Sequence, residues 1–161
     1  MSYESASVLP KGLHNSVPCY YFAVERDTGT LSTFGGLKDD VDGDMEMRTA
    51  AREMWEESNG VFGDPKSIFE ILRNWPINGA KRIDNKTAKH VCYIAPFESL
   101  NENVIENFRK TGWNSEIKDI VAIPREKLKT AVDKKQWSMD GYQIRHCVRS
   151  TLMQARQQRA L

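Results

Sequence analysis

Hydrophobic and polar residues alternate along several short runs of the chain, and turn-forming residues bound each run. The run "VPCYYFAVERDTGTLSTFGG" predicts two strands joined by a turn at Asp27-Thr28-Gly29, because β-branched and aromatic residues flank a glycine-containing turn. The same pattern predicts further strands in "SIFEILRNW", "KHVCYIAPF" and "IKDIVAIP". The first two of these are expected to be joined by a basic loop, which contains Lys81, Arg82, Lys86 and Lys89.

Other segments place apolar residues at the spacing of a helix. One predicted helix is capped by Asp42 or Asp44, runs to about Ser58 and stops at Asn59-Gly60. Later helices are predicted in "LNENVIENFRKTG", "REKLKTAV" and "GYQIRHCVRSTLMQARQQ". The order of strands and helices indicates an α/β (α+β) fold with a mixed sheet between helices, and the first dozen and last few residues are expected to be loosely held.

Length and composition fit one globular domain over residues 1–161. The chain has a net charge of +1, 40% hydrophobic and 28% charged residues, and no apolar run near the ~20 residues that cross a bilayer. A secretory signal is not visible, so we expect a cytoplasmic protein that does not bind membranes. The odd set of three cysteines indicates free thiols, and the balanced charge gives no general case for nucleic-acid binding.

The stretch "TAAREMWEESNG" concentrates acidic residues on one helix. Glu53, Glu56 and Glu57 fall within an arc about 100° wide at the edge of the apolar face, and only Arg52 offers a local cation. Like charges three or four residues apart repel, so an ordinary solvated helix would intersperse lysines. An unmatched carboxylate cluster is what a hard divalent ion needs. A solvated acidic face is the alternative interpretation of the glutamates alone.

These residues lie within a longer motif. Gly36, Asp44, "REMWEE" and Gly60 resemble the Nudix box, whose pattern is G-x5-E-x7-R-E-U-x-E-E-x-G-U with U aliphatic. Asp44 stands where the pattern has glutamate, with seven residues between it and Arg52, while seven residues instead of five separate it from Gly36. One extra residue precedes Gly60. The resemblance implies a single domain with the Nudix-type α/β/α sandwich.

The resemblance also implies a reaction, the metal-dependent hydrolysis of a phosphoanhydride in a nucleoside diphosphate linked to another group X. The ion would be Mg²⁺ or Mn²⁺, because carboxylates loaded with divalent ions become a positive clamp for a pyrophosphate. By similarity Glu53 and Glu57 would be metal ligands, and Glu56 would be a ligand or accept the proton of the attacking water. The carbonyl of Gly36 would complete the metal shell, and Arg52 would position the carboxylates.

Many Nudix proteins add one acidic residue from a loop that precedes a late strand. Glu116, just before "IKDIVAIP", fits that place best, and Glu98 after "CYIAPF" is second. Lys81 and Arg82 are candidates for binding substrate phosphates, although a solvated hairpin loop is the simpler interpretation. Such a protein would bind a nucleotide or another pyrophosphate-containing small molecule, and a homodimer is possible in this family.

Two other functions stay open on the sequence alone. The same box serves enzymes that act on an RNA cap or on a diphosphoinositol polyphosphate, and the basic residues from Lys81 to Lys89 favour that alternative. A Nudix-type module that binds a nucleotide without cleaving it is the third hypothesis. Such modules usually lack some of the box acids, whereas all three glutamates are present here. The sequence does not name X, because substrate choice resides in loops and partner subunits.

Overall fold

A computed structural model of the chain describes residues 3–97 and 103–161. Seven strands among these residues form one mixed sheet, and helices cover both of its faces. In chain order the elements are β1 (Ser5–His14), β2 (Val17–Glu25), β3 (Leu31–Ser32), β4 (Phe34–Leu37), α1 (Glu46–Glu57), α2 (Pro65–Arg73), β5 (Lys81–Asn85), β6 (His90–Pro96), α3 (Val104–Lys110), β7 (Ile117–Pro124), α4 (Arg125–Asp133), β8 (Ser138–Met139), β9 (Tyr142–Gln143) and α5 (His146–Gln157). None of the described helices is long and apolar enough to cross a membrane.

The sheet is organised around β1. Its strand order is β3-β2-β1-β6-β5, with β4 paired to β1 and β7 paired to β2. The β1–β6 pair is parallel and the other pairs are antiparallel. β4 lies beside the first half of β1, with Gly35 opposite Ser7, and β2 lies beside the second half, with Pro18 opposite Leu13. This arrangement holds the Gly35-Gly36 backbone inside the sheet.

Alternation along the strands builds one hydrophobic core on each face. In β2, Tyr21 and Ala23 pack under α1, α2 and α3, whereas Tyr20 and Phe22 pack under α4 and α5. Because successive side chains of a strand point to opposite faces, a strand covered on both sides is apolar at nearly every position. The result is the α/β/α sandwich with a mixed sheet that the sequence predicts.

The expected loose start of the chain is wrong. Residues 5–12 belong to β1, which pairs with three other strands and buries Val8 and Leu9 completely. The strand is hard to recognise in the sequence because Ser5, the buried Ser7 and Pro10 interrupt its apolar positions, and such residues are typical of a loop. The chain end is also packed, since Ala160 is buried and Leu161 contacts the core under α4 and α5.

The predicted strand in "SIFEILRNW" is a helix, α2. Its start has a strong local signal, because the Asp64 side chain accepts a hydrogen bond from the backbone N–H of Ser67 and Pro65 occupies the first turn. Ile68 and Leu72, four residues apart, are both fully buried. Short apolar runs fit a strand or a buried helix equally well by composition, and here the N-terminal cap decides.

Two further boundaries differ from the expectation. Lys81 and Arg82 begin strand β5, so only the turn with Lys86 and Lys89 is the expected basic loop. The last helix begins at His146, because the preceding residues form the small β8–β9 hairpin. The remaining predicted strands and helices are confirmed within the described residues, as are buried free thiols at positions 19 and 92, whereas the third cysteine is exposed.

Candidate active site

The end of α1 is fixed by a local stop signal and by aromatic packing. Asn59 and Gly60 both have positive φ, at 52° and 77°, so the chain leaves the helix abruptly. Phe62 then inserts between aromatic rings of the core, with ring centroids 5.3–5.7 Å away in edge-to-face geometry; its partners are Tyr21, Phe34 and Phe97. The last turn of α1 is therefore rigidly attached to the sheet, and so are the glutamates that it carries.

Three carboxylates meet at this end of α1. One oxygen from each of Glu53, Glu57 and Glu116 lies within 4.8 Å of the other two. Glu53 and Glu57 are one turn apart on α1, and Glu116 directly precedes β7. The sheet brings them together because β7 pairs with β2, so the start of β7 lies beside the end of the helix. Of the two acids considered outside the box, Glu98 lies outside the described residues.

Glu57 is the buried member of the cluster. Its side-chain oxygen accepts a hydrogen bond of 2.9 Å from the backbone N–H of Gly35 in β4. Burial, followed by the neighbouring Glu116 and Glu53 carboxylates, raises the pKa of Glu57 to about 9. Neighbouring carboxylates repel each other when both are ionised, and burial strengthens this repulsion. Without a cation, Glu57 therefore keeps its proton near neutral pH. A divalent ion would replace that proton.

The glycine of the motif leaves room for the cluster. A Cβ atom at Gly36 would lie 2.5 Å from the carboxyl carbon of Glu53, so any larger residue would displace that carboxylate. Burial also raises the pKa of Glu53. All side-chain donors in this cradle are hard carboxylate oxygens, which is the donor set that Mg²⁺ and Mn²⁺ prefer. The residues present therefore fit a divalent metal.

Asp42, and not Asp44, is the acidic partner of Arg52. The Asp42 carboxylate accepts hydrogen bonds from Arg52 Nη2 at 2.8 Å and Nε at 3.2 Å, which lowers the pKa of Asp42 to about 2. Asp44 is fully exposed, with a distant ion pair to Lys38. Five residues separate Gly36 from Asp42, as in the motif, so the two added residues lie between Asp42 and Arg52. The expected helix cap at Asp42 or Asp44 is also wrong, because Met45 is the N-cap.

Arg52 connects this aspartate to the carboxylate cluster. Its Nη1 donates a hydrogen bond of 2.9 Å to Glu53 Oε1 and lies 3.7 Å from Glu56 Oε1. The fixed fork of a guanidinium makes such a double contact directional. Arg52 is therefore held from one side by Asp42 and orients Glu53 on the other.

Asn114, which the sequence analysis does not single out, connects the end of α1 to the loop that carries Glu116. Its side-chain nitrogen donates to the backbone carbonyls of Glu56 and Glu57 and to the side chain of Asn59, at 2.9–3.2 Å. Its side-chain oxygen accepts from the backbone N–H groups of Glu116 and Ile117. The Asn114 side chain thus links the C-terminus of α1 to the loop that carries Glu116 by hydrogen bonds. The sequence contains a weak local signal for this role, because Asn114 lies three residues before the start of β7 and asparagine side chains commonly bind the backbone a few residues further on in a turn.

We expect Asn114→Ala to lower kcat of the proposed reaction by about 10- to 100-fold, because loss of these hydrogen bonds frees Glu116 from its position beside Glu57. Asn74→Ala is the matched control, since that asparagine also binds a backbone carbonyl at a helix end, but on α2. Steady-state kinetics and thermal unfolding of both variants check this expectation. Equal losses of activity in the two variants would contradict a specific role for Asn114.

The remaining candidates lie around the cluster or away from it. Glu56 has a side chain that is 49% exposed, and it lines an open groove together with Glu57 and Glu116. Arg82 is engaged elsewhere, because its guanidinium binds Glu46 Oε1 at 2.9 Å and 3.1 Å. Lys81 is exposed on β5. The structure brings together the acids of the motif and Glu116, and it does not bring the two basic residues to them.

A cavity of about 270 Å³ adjoins β4. Its polar lining includes His90, whose ring nitrogens lie 2.6 Å from Ser5 Oγ and 2.8 Å from Ser7 Oγ. Burial lowers the pKa of His90 to about 4, so the ring is neutral near pH 7. Gly35 and Gly36 border this cavity and also contact the glutamates, so it is next to the carboxylate cluster.

The fold is similar to solved structures of Nudix hydrolases. A C. elegans Ap4A hydrolase in a binary complex superposes with a TM-score of 0.53 at 12% identity, over 92% of this chain and 92% of that chain. RenU, a Nudix hydrolase from M. smegmatis, superposes with a TM-score of 0.50 at 9% identity, over 98% of this chain and 86% of that chain. No protein-family profile matches the sequence, and no curated protein matches it. Likeness at these identities shows the fold alone.

Proposed function

We propose that this chain, which has the Nudix fold, is a metal-dependent hydrolase of a phosphoanhydride bond in a nucleoside diphosphate linked to another group X. The observation that supports the proposal best is the carboxylate cluster of Glu53, Glu57 and Glu116. Its donors come from the last turns of one helix and from one loop, and the Asn114 amide joins them. A surface of solvated acids would not bury Glu57 or need a glycine against Glu53.

Mg²⁺ or Mn²⁺ would be held by Glu53 and Glu57, with Glu56 and the carbonyl of Gly36 as further candidates. When bound, such an ion supplies positive charge that polarises phosphoryl oxygens and makes a water molecule more acidic. The burial of Glu57 supports this assignment, because a carboxylate with a raised pKa stays ionised only beside a cation.

The protein side chains have separate tasks in this proposal. Arg52 fixes the carboxylate of Glu53 through the hydrogen bond from Nη1. Glu116 accepts the proton of the water that attacks phosphorus, because it is the exposed acid of the cluster and its loop is held in place by Asn114. Glu56 lines the same groove and is the other candidate base.

Without a divalent ion, the stability of the protein should fall as pH rises. Glu57 has a pKa of about 9 in the folded state against 4.5 as the ordinary value, so between these pH values the unfolded chain releases a proton that the folded chain retains. The unfolded state is therefore favoured progressively from about pH 4.5 to pH 9. Thermal unfolding in EDTA at pH 5 to 9 measures this effect.

Glu57→Gln is the control for that measurement. Its side chain is neutral at every pH, so the variant should lack part of the decline and unfold at a higher temperature than the natural protein at pH 8 in EDTA. Added Mg²⁺ should raise the unfolding temperature of the natural protein and have less effect on the variant. If the unfolding temperature of the two proteins depended on pH in the same way, a raised pKa at Glu57 would be contradicted.

A panel of compounds tests the activity itself. Nucleoside diphosphates linked to sugars, nucleosides or phosphates, a capped RNA and a diphosphoinositol polyphosphate are each incubated with the protein and Mg²⁺, and the released products are separated. Cleavage of a nucleoside diphosphate-X compound supports the proposal. Preferred cleavage of the capped RNA or the inositol compound selects that alternative, and binding of nucleotides without any cleavage selects the binding module.

A further inference from the structure

An exposed tryptophan stands beside the carboxylate cluster. Trp113 has 74% of its surface exposed, although its indole is large and apolar. It lines the same open groove as Glu56, Glu57 and Glu116. Single exposed apolar side chains are common on protein surfaces, so exposure alone assigns no role to Trp113, and its position in the groove beside the carboxylates is the informative feature.

One face of the Trp113 ring is covered by a cation. The guanidinium carbon of Arg26 lies 3.6 Å from the ring centroid, which is stacking distance. Arg26 is itself held, since Nε donates a hydrogen bond of 3.0 Å to the carbonyl of Asn114 and Nη2 donates one of 3.4 Å to the carbonyl of Ile117. The indole is therefore supported from behind by a side chain anchored to the loop of Glu116.

From this geometry we propose that Trp113 is the platform on which the nucleobase of the substrate stacks. A flat aromatic ring of a ligand can lie on the face of the indole that Arg26 does not cover, and the groove then leads toward the carboxylates. Every nucleobase has a π face, so stacking on a supported aromatic gives affinity with little preference among bases. Recognition would come from the base at Trp113, and the reaction would occur at the carboxylates. This inference rests on the proposed function, because it assigns one end of the same substrate.

Binding of a nucleotide and of its base-free counterpart separates the two ends. The probes are AMP and ribose 5-phosphate, titrated by calorimetry at saturating Mg²⁺. The natural protein should bind AMP at least about 10-fold more tightly than ribose 5-phosphate. Trp113→Ala should lose that preference while its affinity for ribose 5-phosphate stays unchanged, and Trp113→Phe should retain most of it.

Tryptophan fluorescence gives a second readout, because AMP would not quench Trp113 directly if this residue had only a structural role. AMP should quench the fluorescence of the natural protein, and Trp113→Phe should show much less quenching although it still binds AMP. Trp75→Ala is the control, because Trp75 is also exposed but does not line the groove. Its AMP preference should equal that of the natural protein.

Two results would overturn the inference. The first is equal affinity of the natural protein for AMP and ribose 5-phosphate, including no detectable binding of either. The second is an AMP preference that survives in Trp113→Ala. Neither result touches the proposed function, because hydrolysis without base recognition would leave the metal-dependent reaction in place. Conversely, AMP bound through Trp113 by a protein that cleaves nothing would support the platform and overturn the hydrolase.

Discussion

Replacing Glu57 with glutamine should lower turnover by several orders of magnitude while the protein stays folded. Glu57 is the buried acid of the cluster, and as a carboxylate it offers a negative oxygen to a divalent ion. The amide of glutamine can keep the hydrogen bond from the N–H of Gly35, so the local fold survives. Magnesium-dependent hydrolysis by the purified variant, measured over a range of Mg²⁺ concentrations, checks this expectation.

Glu70→Gln is the matched control for that variant. Glu70 lies on α2 and forms an exposed ion pair with Arg73, so the same change there removes a carboxylate without touching the cluster. Exposed pairs of this kind contribute little, roughly 0–1 kcal/mol, so the control should have normal activity and stability. Near-normal hydrolysis by Glu57→Gln would contradict the assignment of Glu57 as a metal ligand.

Replacing Glu116 with glutamine should lower kcat by roughly 10²-fold or more at saturating Mg²⁺, which is the usual size of the contribution from a general base. The proposal assigns Glu53 and Glu57 to the metal, and a carboxylate that binds a metal is a weak base, so it gives the role of base to Glu116, the exposed acid of the cluster. The amide of glutamine is similar in shape but cannot accept that proton. Steady-state kinetics at increasing Mg²⁺ separates kcat from metal affinity.

The way in which kcat of these variants depends on Mg²⁺ shows whether Glu116 is the base or a metal ligand. If kcat recovers at high Mg²⁺, Glu116 holds the metal, and Glu56 inherits the role of base. Glu98→Gln is the comparison variant for the other acid considered, and it should have the smaller effect. If Glu98→Gln lost activity and Glu116→Gln kept it, the assignment of Glu116 as the base would be wrong, and the proposed metal site would be unaffected.

The acids that the structure brings together are easier to single out from the sequence than the residues that hold them in place. Helical spacing places Glu53 and Glu57 on one face of α1, and the resemblance to the Nudix box singles them out and also points to an acid before a late strand, which is Glu116. The turn signal at Asn114 is weak by comparison, and its hydrogen bonds to α1 are not predictable locally, because they join two segments that are distant in sequence. Counting the motif spacing back from Arg52 predicts Asp44 as its partner, whereas the partner is Asp42, because the two added residues lie between Asp42 and Arg52.

The errors in the fold have a similar origin. Composition alone does not reveal β1, because Ser5 and Ser7 line a cavity of the folded protein instead of belonging to a loop. The apolar run of α2 is too short to distinguish a strand from a helix, and the cap at Asp64 with Pro65 in the first turn favours the helix. Basic residues 81 and 82 were expected in a loop, but cross-strand pairing with β6 places them in the sheet.

The most direct test of the central claim follows the metal and the reaction in one sample. The protein is stripped with EDTA, dialysed and titrated with Mn²⁺ in a calorimeter, and hydrolysis of the best nucleoside diphosphate-X compound is measured at each step. We predict that turnover is absent in the stripped protein, rises with occupancy of the Mn²⁺ site and is supported by Mg²⁺, whereas Ca²⁺ supports it poorly because it prefers longer and less regular coordination. Unchanged hydrolysis after EDTA, or Mn²⁺ binding that persists in Glu57→Gln with full activity, would contradict the account.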